Sequence, residues 1–251
     1  MQFSKSCLIF LCLFIITQAH SEYIFQTTEY PPYVCAKHPN PKGLAISYIS
    51  ELLASMKLNA KIEVVPWSRA LTKSKLGIND AIFPAAKTSE RENFLLYSKE
   101  PIFIEEIVAI GKSSATKKLS GEISDFTGKK ICSAQGYSIG QKIDAAQKQG
   151  LFLRISESSQ DECLNDVINE VCDFYLTDKI MAESILKKLN PIKSEKISIS
   201  NKIYESTPTY IAFSKSGKLV DKINEINVII SKINAEHLKS DQNIFNFKDC
   251  N

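Results

Sequence analysis

The sequence predicts an α/β fold of two lobes, each built on an open sheet. Three observations carry this expectation. Residues 22–86 alternate short strand-like runs with helical spacing as β-α-β-α-β, the pattern of an open α/β sheet. From Gly128 the same pattern recurs without detectable identity to the first copy. A further strand and a long amphipathic helix then close the chain, as though it returned to the first unit.

The elements follow in order. EYIFQTTEYPPY opens as an alternating run and breaks at Pro31-Pro32. GLAISYISELLASMKL sets Leu44, Ile46, Ile49, Leu52, Leu53 and Met56 at near-helical spacing. AKIEVVPW reads as a strand, SRALTKSKL as a short helix closed by Gly77, and DAIFPA as the next strand. In PIFIEEIVAIGKS the EIVAIG run is expected to cross from the first lobe to the second, and a polar segment, SATKKLSGEISDFTG, follows it. GKKICSA, LFLRIS and VCDFYLTD read as strands. GYSIGQKIDAAQKQG (begun by Gly136), SQDECLNDVINE and KIMAESILKKL read as the helices between and after them. TPTYIAFSKSG is the strand expected to cross back. KLVDKINEINVIISKINAE is a helix with Leu219, Ile223, Ile226, Ile229, Ile230 and Ile233 on or near one stripe. The expected division is residues 22–110 and 209–251 for the first lobe and 111–208 for the second.

Residues 1–21 stand apart. MQFSK, the apolar CLIFLCLFIIT and Ala19-His20-Ser21 before Glu22 have the three-part plan of a secretory signal peptide. The apolar run is shorter than the ~20 residues of a spanning helix. The mature chain is therefore expected to be soluble and periplasmic. Lys and Arg number 31 against 28 Asp and Glu, and the KK pairs at 117–118, 129–130 and 187–188 are scattered. So even a balance argues against nucleic acid. The mature cysteines are Cys35, Cys132, Cys163, Cys172 and Cys250, an odd set that allows at most two disulfides; spacing does not choose the pairing. Without CxxC spacing or a cluster among His20, His38 and His237, neither a metal nor a cofactor is expected.

Ligands of open α/β sheets bind outside the carboxyl ends of the strands. Those ends carry Thr27, Glu29, Tyr30 and Tyr33, then Trp67 and Arg69, then Thr88 and Arg91. In the second lobe they carry Gly136, Tyr137 and Ser138, then Thr177 and Asp178. This set suits a small zwitterion. Arg91 can hold a carboxylate with its planar fork, and the Gly136-Tyr137-Ser138 turn offers backbone N–H groups to the same anion. Asp178 can accept from an ammonium, with Tyr30 and Trp67 as walls. Taken singly, each residue has an ordinary reading: a solvated arginine, a helix-capping aspartate, a core tryptophan.

The chain also resembles the family 3 solute-binding proteins, the periplasmic receptors of polar-amino-acid ABC transporters. The resemblance spans nearly the whole mature chain, through TTEYPPY, GLAISYISELL, PWSRAL, DFTGKKICSAQGYS, CDFYLTD and TYIAFSKSG, and is most specific in DAIFPAAKTSERENFLLYS. It implies a type II periplasmic-binding-protein fold with lobes joined by two hinge strands. It places the carboxylate-binding arginine on Arg91, the ammonium-binding aspartate on Asp178, and pocket aromatics on Tyr30 and Trp67. It also places the donor turn on Gly136, Tyr137 and Ser138. Pro84 and Ala86 stand where the family usually offers Ser, Thr or Gly donors, and Arg69 adds a second cation with Glu29 as a possible partner. The implied function is capture of an amino-acid-like solute by a monomer and delivery to an ABC permease in the inner membrane, without catalysis. A ligand sensor for a signalling receptor, or a cyclohexadienyl dehydratase-like enzyme using Glu29, are the alternatives.

Overall fold

The computed structural model describes residues 22–36, 40–189 and 196–239. Residues 1–21, read above as a signal peptide, His38, Cys250 and the end of the return segment lie outside them. The parallel strands β1 (Tyr23–Thr27), β2 (Ala60–Val64) and β3 (Ala81–Ala86) form one end of a ten-stranded sheet. The parallel strands β6 (Lys130–Ala134), β7 (Leu153–Glu157) and β8 (Phe174–Asp178) form the other. Between them run two strands of ten residues each, β5 (Phe103–Lys112) and β10 (Glu205–Ser214). Two short strands that sequence reasoning did not isolate, β4 (Leu95–Tyr97) and β9 (Ile197–Ile199), flank β10 and β5. Three residues are too few to show a period.

The sheet order is β2-β1-β3-β10-β5-β8-β6-β7. Each long strand is shared between the two ends. β5 pairs with β10 through Phe103–Ile107 and with β8 through Ile107–Gly111. β10 pairs with β5 through Glu205–Thr209 and with β3 through Thr209–Phe213. These are the crossings expected of EIVAIG and TPTYIAF.

Helix α1 (Leu44–Ser55) buries Leu44, Ala45, Ile46, Tyr48, Ile49, Leu52 and Leu53. It packs on α8 (Ile223–Lys239), where Tyr48 Oη donates to Asn234 Oδ1 at 2.7 Å. Each large aliphatic side chain so buried contributes roughly 1.5–3 kcal/mol. The helix starts where it does because Gly43 has φ +121°, and a Cβ there would lie 2.5 Å from Tyr33 O. Glycine thus lets α1 close against the Tyr30–Tyr33 segment. On α8 the stripe holds for Ile226, Ile230 and Ile233, whereas Leu219 is buried ahead of the helix, before a 3-10 turn at Val220–Lys222.

The second end has its own core of Phe126, Ile131, Ile139, Ile143, Phe152, Phe174 and Leu176. Phe126 is fully buried although it belongs to the segment read as polar. One aromatic among polar residues leaves no periodic trace. A disulfide, Cys132–Cys172, joins β6 to the residue pair ahead of β8; Cys35 is also disulfide-bonded, and Cys163 is a free, buried thiol.

Candidate binding site at the strand ends

The β3 strand stops at Ala86, and Thr88 then caps a short helical turn, α3 (Ser89–Glu92), by accepting from Arg91 N at 3.3 Å. That cap turns the Arg91 side chain inward, where only 7% of its surface is exposed. Its Nη1 donates to Ala86 O at 2.7 Å and its Nη2 to Gly136 O at 2.8 Å. The guanidinium carbon lies 5.6 Å from the centroid of Trp67, the first residue of α2 (Trp67–Lys75). Burial lowers the guanidinium's pKa, but both acceptors are neutral carbonyls. The positive charge is therefore held by dipoles and an aromatic face.

The aromatic walls are mutually packed. Tyr30 stacks on Tyr33 at 5.2 Å and meets Tyr137 edge-on at 6.0 Å, and Trp67 lies 6.0 Å from Tyr137. Desolvation raises the pKa of Tyr30 and of Tyr33, so both phenols act as donors. Tyr33 Oη donates to Asp178 Oδ2 at 3.1 Å, and Tyr30 Oη donates to Glu105 Oε2 at 3.2 Å.

Two acids face this space. Asp178 ends β8 and caps α7 (Lys179–Lys188), accepting from Met181 N at 3.1 Å. It also accepts from Glu106 N at 3.1 Å. Burial pushes its carboxyl up to about 6 against the pull of these donors. Sequence reasoning missed Glu105, as it did Thr28 and Thr209. Glu105 stands on β5, 8% exposed, and desolvation followed by repulsion from Asp178 pushes its carboxyl up to about 8. Strand alternation puts one member of the Glu105-Glu106 pair on the face of Ile107; that was the available signal.

Two adjoining spaces separate the ends of the sheet. One, partly open, is lined by Thr28, Tyr30, Trp67, Pro84, Ala86, Arg91, Glu105, Tyr137, Ser138 and Thr209. The other is lined by Tyr30, Glu105, Tyr137, Ser138, Thr177 and Asp178 among others. The arrangement offers a cation, two carboxylates and aromatic walls to one small solute.

Several expected features sit elsewhere. Arg69 is exposed, because it stands about 200° around α2 from Trp67 at ~100° per residue. Its suggested partner Glu29 instead accepts from Ala36 N at 2.6 Å. Thr88 acts as the cap described above and is not among the lining residues. The helix expected from Gly136 begins later, as α5 (Gln141–Lys148). Gly136 at φ +78° and Gly140 at φ +113° hold the backbone outside the helical region. Gly136 therefore contributes a carbonyl, accepting from Arg91, and Tyr137 N is engaged with Ala134 O at 3.1 Å. The N-terminus of α5 is occupied by Glu205 of β10, which accepts from Lys142 N and Ile143 N. Ser138 Oγ donates to Asp144, which is paired with Arg154 at 3.1 Å. Arg154 also donates to Tyr137 O and Ser133 Oγ, and so fixes the turn from behind.

Comparison with known proteins bears on this geometry. A family model described as bacterial extracellular solute-binding proteins, family 3, matches residues 24–237. No curated protein sequence matches the chain. Among solved structures, an ancestral arginine-binding protein bound to arginine is 16% identical with a TM-score of 0.71, over 86% of this chain and 93% of that one. An amino acid ABC transporter substrate-binding protein from Streptococcus pneumoniae, bound to L-arginine, is 16% identical with a TM-score of 0.70, over 86% and 90%. An arginine-binding protein from T. maritima in its holo form is 16% identical with a TM-score of 0.68, over 85% and 90%. At such identities the likeness is one of fold. Among the described residues, no helix is long and apolar enough to cross a membrane.

Proposed function

Because the chain belongs to family 3 of the bacterial extracellular solute-binding proteins, we propose that it captures a small polar zwitterion, an amino acid or a related compound, between the two ends of its sheet and delivers it to an ABC permease. The observation that carries this reading is Arg91. It is a buried guanidinium at a strand exit, held by carbonyls and Trp67, in a space that also holds Glu105 and adjoins the one lined by Asp178. A solute bearing both charges complements that space better than an anion or an apolar molecule.

In this reading residues 22–110 and 209–251 form one lobe and 111–208 the other, and the solute is enclosed by closure about β5 and β10. Tyr30, Trp67, Arg91, Tyr137 and Ser138 contact the solute directly. Thr88 acts through Arg91, and Gly136 through the carbonyl that Arg91 now holds. The protein works in the periplasm after removal of residues 1–21, as a monomer and without catalysis. Glu29, the acid that the enzyme reading named, is engaged with Ala36 N and is not among the lining residues.

Thermal melting of the mature protein against amino acids, amines and small organic acids tests the proposal. A solute at ~100 times its dissociation constant should add about 2.7 kcal/mol if only the folded state binds it. The shift is expected with a zwitterion and should vanish in Arg91→Ala. A shift confined to non-zwitterionic acids, or one that survives Arg91→Ala, would overturn it.

A further inference from the structure

The strand register brings Glu105 and Asp178 to one face. Ile107 pairs with Asp178 across β5 and β8, and Glu105 lies two residues along β5 on the same side. On its other side Glu105 pairs with Thr207 of β10. The two acids nevertheless differ in what they already hold. Asp178 accepts from Tyr33 Oη, Met181 N and Glu106 N. Glu105 accepts from Tyr30 Oη, at a long 3.2 Å. A carboxylate has room for about four donors, so Glu105 keeps capacity that Asp178 has largely used. The buried Thr207 hydroxyl opposite it has no hydrogen-bond partner among the described residues. Buried polar groups are nearly always paired, so an acid with one long contact, across the strand pair from a hydroxyl with none, leaves room for a further donor.

Resting on the zwitterion reading above, we infer that Glu105, rather than Asp178, receives the cationic nitrogen of the solute, and that this nitrogen takes the place of a proton on Glu105. Glu105 also lines the space that contains Arg91, so a solute held by Arg91 through its carboxylate can present its ammonium to Glu105 in the same space. Asp178 then serves as a positioning residue that fixes the α7 start and Tyr33.

The proton follows from the surroundings. Facing Glu105 are Tyr30 from the loop after β1, Asp178 from β8, Tyr137 from the turn after β6, and Arg91 from α3. Tyr30 and Tyr137 are neutral, their phenols raised chiefly by desolvation. Burial and Asp178 favour the protonated acid, while Tyr30 and Arg91 favour the carboxylate. Near neutral pH the unliganded Glu105 is mostly the acid. When the ammonium arrives, the carboxyl O–H bond breaks, the proton leaves to solvent, and the carboxylate accepts from the N–H groups of the solute.

The test uses the mature full chain with L-arginine, L-lysine and L-glutamine as probes, by calorimetry at pH 7 in buffers of different ionisation enthalpy. At least one probe should bind the wild type, with release of a substantial fraction of a proton. Glu105→Gln should weaken that probe at least tenfold and abolish the release, whereas Asp178→Asn should weaken it less than threefold and keep it. Weakening confined to Asp178→Asn, or release unchanged in Glu105→Gln, would overturn this inference alone. If none of the three probes bound the wild type, the amino-acid reading would fall, and this inference with it.

Discussion

The two rims of the site differ in how much of their polar capacity the protein itself occupies. On the β6–β8 side nearly everything is engaged. Asp178 holds three donors, Glu205 fills the start of α5, and Ser138 and Tyr137 O are tied into the Asp144–Arg154 pair. On the β1–β3 side and along β5, Arg91 is bound to two carbonyls and Glu105 to one long phenol contact. The lesson is that the second rim is a finished surface, shaped before any solute arrives. The first rim and the shared strand hold the chemistry still open to a ligand.

The largest expected effect that sharpens this contrast is the pH dependence of the unliganded protein. A carboxyl whose folded pKa exceeds its unfolded value binds a proton on folding, so stability falls as pH rises between the two. For Glu105 that window runs from 4.5 to about 8, and for Asp178 from 3.8 to about 6. The melting temperature should therefore fall from mildly acidic to mildly alkaline pH, by the equivalent of up to a few kcal/mol. Glu105→Gln should remove the fall between pH 6 and 8 and leave, below pH 6, only the share that Asp178 contributes. A flat profile in the wild type would break the contrast.

Next in size, Asp178→Ala leaves the Glu106 N–H and the buried Tyr33 hydroxyl without their acceptor and uncaps α7. Denaturant titration should show a loss of about 1–3 kcal/mol. A loss in affinity with no loss in stability would place Asp178 among the open groups instead. Glu205→Ala should cost about 1 kcal/mol by freeing the first amides of α5. It should also give the second rim an anion site it now lacks, which added sulfate would reveal as extra stabilisation in the variant over the wild type. Arg69→Ala should be the smallest, within about 0.5 kcal/mol for stability and without effect on binding, since its side chain is exposed on α2.

How much of this was legible in the chain depended on locality. The β-α-β-α-β units, the two crossing strands and the placing of Arg91 at a strand exit were readable because a strand and its exit are set by neighbours in sequence. Glu205 at the start of α5 was not, because its contact with Lys142 joins residues 63 positions apart. Arg69 misled because adjacency to Trp67 in sequence becomes opposition on a helix. Glu105 was hidden in a strand whose alternation allowed an acid inside but could not say which of two. Gly136 was taken for a helix start, but its positive φ makes it the acceptor of the arginine's own donor.

The buried thiol has a practical consequence. Cys163 is fully enclosed in the apolar core beneath β6 and β8, and desolvation followed by the charges of Glu157 and Asp166 pushes its pKa up to about 12. Almost no thiolate exists in the native chain, so an alkylating reagent has to wait for that core to breathe. The rate of its modification is thus a clock for openings of one half of the molecule, wired in by nature and needing no engineered label. Slowing of that clock by an added solute would time the grip of the receptor on its cargo.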